Sequence, residues 1–142
     1  MHMEFIYLDT NIYLDYWYDR KDRLRPLGEF AFSILMRVID CEFIIIISDL
    51  LLKELSTQIN EKAIEELFSD LKAKDKLITS KIEEKDIEDA NELKRKYPEV
   101  PFPDLLHYTK AINTNARYLI TRDEHYDLLP EEKILIRKPE EL

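Results

Sequence analysis

With 142 residues, 30 acidic against 21 basic side chains and a net charge of −9, the chain can bury a core of its own and is acidic overall. The lone Cys41 excludes an intrachain disulfide framework and a cysteine zinc site, and suits a reducing cytoplasm. The longest apolar run, Phe43 to Ile47, is too short to cross a bilayer, the first residues do not pattern as a secretory leader, and the acidic balance counts at first sight against nucleic acid as a partner.

Met1 and His2 read as a cloning remnant ahead of a start at Met3, and residues 1–142 are expected to form one domain. Phe5-Ile6-Tyr7-Leu8 is a buried strand stopped by Asp9-Thr10-Asn11, which caps a helix carrying Ile12, Tyr13, Tyr16 and Trp17. Asp19 to Pro26 is a charged loop. A longer helix follows, with Leu27, Phe30, Ile34, Leu35, Val38 and Ile39 on one face. Phe43 to Ile47 is the clearest strand, and Ser48-Asp49 caps a helix over roughly Leu50 to Ile59. Amphipathic helices are predicted around Ala63 to Leu71 and Ile82 to Tyr97, with a strand at Leu77 to Thr79 between them. Pro98 to Pro103 reads as rigid and non-helical, and Asp104 as the opening of a helix that runs to about Asn113, with Asn115 as its left-handed cap. Strands are predicted at Tyr118 to Ile120 and Lys133 to Ile136. Strands alternating with helices imply an α/β fold with a parallel sheet covered on both faces.

Ligands of open parallel sheets bind beyond the carboxyl ends of the strands. Those positions are acidic here: Asp9, Asp49 with Glu54 further along its helix, Asp104 and Asp123. Glu54 falls inside the apolar arc of its helix, between Leu50 and Leu51 and near Leu55, with no basic residue one turn away on that face. A carboxylate aimed inward needs a partner. A divalent cation held by Asp9, Glu54, Asp104 and Asp123 supplies one, and oxygen ligands suit Mg²⁺ or Mn²⁺. Taken singly, Asp9 reads as a helix cap, Asp104 as a first-turn acid and Asp123 as a turn former.

The order and spacing of Phe5 to Asn11, of Ser48-Asp49 with Glu54, of Asp104 with its helix, and of Tyr118 to Tyr126 resemble the PIN-domain family, most of all its single-domain VapC-type toxin ribonucleases. The resemblance implies a Rossmann-like α/β/α sandwich with a mainly parallel sheet and a Mg²⁺- or Mn²⁺-dependent endoribonuclease acting on RNA. It assigns Asp9, Glu54, Asp104 and Asp123 to an acidic catalytic and metal-binding quartet, and Asn11 and Thr121 to accessory positions that orient it. It also implies a cytoplasmic homodimer silenced by a cognate antitoxin. The proline-rich segment before Asp104, and Asn113 to Ala116 where glycine is often found, depart from the family pattern without touching the quartet.

Arg122, beside Asp123, is a candidate substrate contact, as are Arg20 and Lys21 in the basic loop. Tyr13, Tyr16, Trp17 and Tyr18 read as core or surface packing rather than base stacking, and His107 and His125 as structural. A phosphatase of the haloacid-dehalogenase type also begins with a strand and Asp-x-Asp, but Asn11 removes its second acid. The remaining alternative is a catalytically silent PIN-like module that binds RNA or a protein.

Overall fold

A computed structural model describes Met3–Leu142; the remnant reading of Met1 and His2 lies outside the described residues. Five parallel strands form one sheet in the order β3-β2-β1-β4-β5: β1 (Glu4–Leu8), β2 (Phe43–Ser48), β3 (Leu77–Ser80), β4 (Tyr118–Ile120) and β5 (Leu135–Arg137). The middle strands are covered on both faces, which is why they read as unbroken apolar runs: Ile6, Tyr7 and Leu8 are wholly buried, as are Ile45 and Ile47. The edge strands β3 and β5 are short and partly exposed, limiting the unpaired backbone they present. No helix among the described residues is long and apolar enough to cross a membrane.

Among the described residues six α-helices fill the connections: α1 (Thr10–Trp17), α2 (Leu27–Ile39), α3 (Asp49–Ser56), α4 (Glu61–Ala73), α5 (Glu84–Lys96) and α6 (Phe102–Asn113). The chain steps from β1 to β2 to β3 in one direction, then returns past β1 to lay down β4 and β5. Right-handed crossovers therefore place α1 to α4 on one face and α5 and α6 on the other. The contacts follow that division, with α1 packed on α2 and α3, α4 on α2 and α3, and α5 on α6. The reversal of direction falls between β1 and β4 and leaves a crevice at their carboxyl ends.

Several element boundaries differ from the sequence reading. Helix α6 begins at Phe102 and carries Pro103 in its first turn, where a missing N–H costs nothing because first-turn N–H groups have no intrahelical acceptor. Helix α3 stops at Ser56, where the Ser56 and Thr57 hydroxyls bond the carbonyls of Lys53 and Glu54. Strand β5 lies two residues later than expected at its start. Asn115 takes the left-handed conformation (φ 63°), and the Ala116 N–H returns to the Ala111 carbonyl at 3.0 Å.

The single glycine serves close approach rather than a turn. A Cβ on Gly28 would lie 2.7 Å from Asp19 Cα and 2.9 Å from the Asp15 carbonyl oxygen, so α2 could not start so near the end of α1.

Candidate functional site

The crevice is built first by Asp9, the residue after β1. Its Oδ1 accepts from the Thr10 N–H at 2.8 Å, capping α1. Its Oδ2 accepts from Thr121 Oγ1 at 2.9 Å, just past the end of β4. Thr121 Oγ1 in turn accepts from the Asp123 N–H at 3.0 Å. The parallel register that sets Leu8 opposite Ile120 brings these groups level. One threonine hydroxyl thus ties Asp9 to the backbone that carries Asp123. Asp9 is buried, and burial, reinforced by the charge of Asp123, raises its carboxyl above the ordinary range against nearby His107 and the hydrogen bonds from Thr121 and Thr10.

Asp104 reaches the same crevice from the first turn of α6. Burial, then the charges of Asp123 and Asp9, push its carboxyl up to about 6, opposed by His125. His125 Nδ1 stands 3.2 Å from Asp104 Oδ2 and 3.1 Å from Asp123 Oδ1. One donor atom each from Asp104, Asp123 and His125 lies within 4.8 Å of the others. Asp9 and Glu54 do not share that spacing, although the charges of Asp9 and Asp123 both reach Asp104. His125 has a local signal that the sequence reading passed over. Its N–H donates to Asp123 Oδ1 at 2.9 Å, and this short turn brings its ring onto the carboxylate.

Glu54 has a protein partner, contrary to the sequence expectation that its helix face leaves it unpaired. His107 Nε2 lies 2.8 Å from Glu54 Oε1, and Thr10 Oγ1 donates to the same oxygen at 2.7 Å. Burial would raise the Glu54 carboxyl, but His107, through its hydrogen bond and its charge when protonated, and then the hydrogen bond from Thr10, outweigh it and hold the group below its ordinary value. Inward burial of Glu54 is therefore no evidence for a cation by itself. His107 is 1% exposed and is a working part of this region. Its partner lies 53 residues away on another helix, beyond the reach of any local pattern. Helix α6 buries Leu105 and every residue from His107 to Ala111, so its wheel shows no polar face against which an inward histidine would stand out.

The other sequence-predicted residues lie elsewhere. Asn11 is exposed, and its Oδ1 accepts from Arg20 Nη1 at 3.3 Å rather than meeting the carboxylates. Arg20 also approaches Asp15 at 3.6 Å, and Lys21 is exposed in the loop. Arg122 is not free to meet a substrate. It grips Glu140 with two bonds of 2.8 and 2.6 Å, approaches Asp15 at 3.5 Å and lies over the Phe30 ring, with its side chain 14% exposed. It therefore fastens the C-terminal segment to α1 and α2.

The site thus combines the carboxylates of Asp9, Asp104 and Asp123, the first two with raised proton affinity, with a histidine at its rim. Oxygen donors packed this way suit a hard divalent cation, whose charge would offset their repulsion.

The chain is similar to several solved structures. It covers 94% of itself and 98% of a chain of VapBC2 from Rickettsia felis bound to a promoter DNA fragment, with 20% identity and a TM-score of 0.65. A toxin–antitoxin complex from Klebsiella pneumoniae gives 19% identity and 0.65 over 94% of this chain and 97% of that one. VapC20 of Mycobacterium tuberculosis, described as a sarcin–ricin loop cleaving toxin, gives 13% and 0.56 over 90% and 98%. At these identities the likeness is one of fold. No curated protein matches by sequence. The sequence itself matches the PIN domain over residues 6–132, and the chain belongs to the PIN-domain family.

Proposed function

We propose that this protein is a Mg²⁺- or Mn²⁺-dependent endoribonuclease, the toxin of a toxin–antitoxin pair, acting in the cytoplasm as a homodimer held in check by a cognate antitoxin. The observation that carries the reading is the convergence of Asp104 and Asp123 at the β1/β4 crevice, where Thr121 ties Asp9 to the Asp123 backbone and the charges of Asp123 and Asp9 add to burial in pushing the Asp104 carboxyl up to about 6. The three aspartates would hold the cation, and Glu54 would complete the set. A bound Mg²⁺ or Mn²⁺ supplies charge that draws in a phosphodiester and makes a water more acidic. Hydrolysis would form a bond from water oxygen to phosphorus and break the P–O3′ bond, leaving a 5′-phosphate and a protonated 3′-hydroxyl. Thr121 keeps Asp9 and Asp123 in register for this task. RNA as substrate and an antitoxin as partner are carried over from the toxins and toxin–antitoxin complexes that share the fold.

The reading also accounts for four of the thirty acidic residues. This acidic crevice is the spot that a cation would convert into a phosphate receptor. Purified protein is expected to cut single-stranded RNA with Mg²⁺ or Mn²⁺ and not with chelator, and Asp9→Asn or Asp104→Asn is expected to abolish cutting in folded protein. Wild-type protein that cut no RNA and bound neither ion would defeat the proposal.

A further inference from the structure

Glu54 is held by one oxygen only. Both of its donors, Thr10 Oγ1 and His107 Nε2, meet Oε1, and among the described residues none bonds Oε2. A carboxylate oxygen accepts and does not donate, so Nε2 carries a hydrogen. The other ring nitrogen, Nδ1, lies 2.6 Å from the Tyr7 hydroxyl, which lies 2.7 Å from Ser48 Oγ. Ser48 Oγ also accepts from the Leu51 N–H at 3.1 Å as the N-cap of α3.

The direction of this chain follows from burial. Tyr7 and Ser48 are both 0% exposed, so each hydroxyl hydrogen needs an acceptor inside the protein. Among the described residues Ser48 Oγ meets only Tyr7 and Leu51, and Leu51 is a donor. The Ser48 hydrogen must therefore go to the Tyr7 oxygen, and the Tyr7 hydrogen to His107 Nδ1. Reversing the chain would strand the Ser48 hydrogen. Every group is satisfied in one arrangement, running from the Leu51 N–H through Ser48, Tyr7 and His107 to Glu54.

We propose that Ser48 and Tyr7 lock His107 as the neutral tautomer with hydrogen on Nε2, and that His107 is thereby a positioning residue that fixes Glu54 with Oε2 left free to ligate. The cap of α3, the core of β1 and the face of α6 set one carboxylate together. The ligand role of Glu54 rests on the function proposed above; the tautomer does not. Carboxylates that hold metals depend on such outer partners, whose loss typically costs about 10–100-fold in metal affinity.

Nitrogen NMR of the His107 ring in metal-free protein is expected to show a single neutral form protonated on Nε2. Tyr7→Phe is expected to remove that single form and to weaken Mn²⁺ binding, read by titration calorimetry and electron paramagnetic resonance, by about 10–100-fold. Ser48→Ala tests the same relay from its other end should Tyr7→Phe not fold. His107→Gln, which keeps a side-chain N–H, is expected to bind Mn²⁺ more tightly than His107→Leu. A ring protonated on Nδ1, or Mn²⁺ affinity unchanged in folded Tyr7→Phe and Ser48→Ala, overturns the proposal. Wild-type protein that binds no Mn²⁺ overturns the metal reading instead, and with it the ligand role of Glu54.

Discussion

Thr121 donates to Asp9 across the carboxyl ends of β1 and β4, linking residues 112 apart at 2.9 Å. The same hydroxyl receives the Asp123 N–H, so one atom ties the Asp9 carboxylate to the backbone that carries Asp123. Thr121→Val keeps the shape and removes the hydroxyl, leaving a buried carboxylate oxygen and a backbone N–H without their partner. The cost expected is about 1–3 kcal/mol, seen as a lower melting temperature of metal-free protein. Thr121→Ser should restore most of it. Equal melting of Thr121→Val and wild type would show that the hydroxyl does not hold Asp9.

Asp104 makes metal-free stability fall with pH. Its carboxyl is pushed up to about 6 from an ordinary value of 3.8. Between those values the folded protein keeps a proton that the unfolded chain has released, so stability falls as pH rises through that window. Above it, the ionised group remains a destabilising charge. Asp104→Asn removes that charge and is expected to stabilise the metal-free protein at pH 7 by about 1 kcal/mol, a gain that disappears near pH 4. Thermal unfolding of both proteins at the two pH values checks the sign.

The same raised carboxyl predicts how cations bind. Below about pH 6 a proton competes for Asp104, so Mn²⁺ affinity measured by calorimetry should weaken as pH falls through that value. At pH 7.5 a saturating divalent cation should raise the melting temperature, and chelator should reverse the rise. A melting temperature indifferent to Mg²⁺ and Mn²⁺ at pH 7.5 would count against a metal centre.

Arg122 separates a structural from a substrate role. Its two bonds to Glu140 and its approach to Asp15 fasten the C-terminal segment. Arg122→Gln is expected to lower the melting temperature while leaving the salt dependence of RNA binding unchanged, since a lost phosphate contact would reduce that slope by about one. A shallower salt slope without destabilisation would return Arg122 to the substrate.

The buried pair of Lys110 and Asp86 pins α6 to α5 at 3.1 Å, with Asn113 donating to the other Asp86 oxygen at 2.7 Å. Both charged side chains are almost wholly enclosed. Lys110→Met leaves the Asp86 charge without its cation and should cost about 3–5 kcal/mol by chemical denaturation. A cost under 1 kcal/mol would mean that Asn113 and the Glu83 N–H suffice to hold Asp86.

Much of the molecule is written locally. The isoleucines of β2 specify a strand enclosed on both faces, Asp9 and Ser48 specify helix caps, and Asn115 specifies a left-handed stop. Alternation of such segments fixes a parallel sheet, and the acids at its strand ends can be read in order. Partnership cannot be read in this way. Glu54 meets His107 and Arg122 meets Glu140 because the chain reverses direction after β3, lays α6 on the opposite face of the sheet and sets β4 on the far side of β1. Residue pattern encodes period and burial, which are properties of a few consecutive positions. Which charge meets which depends on where distant segments are carried by the topology, and that was decided only by the tertiary structure.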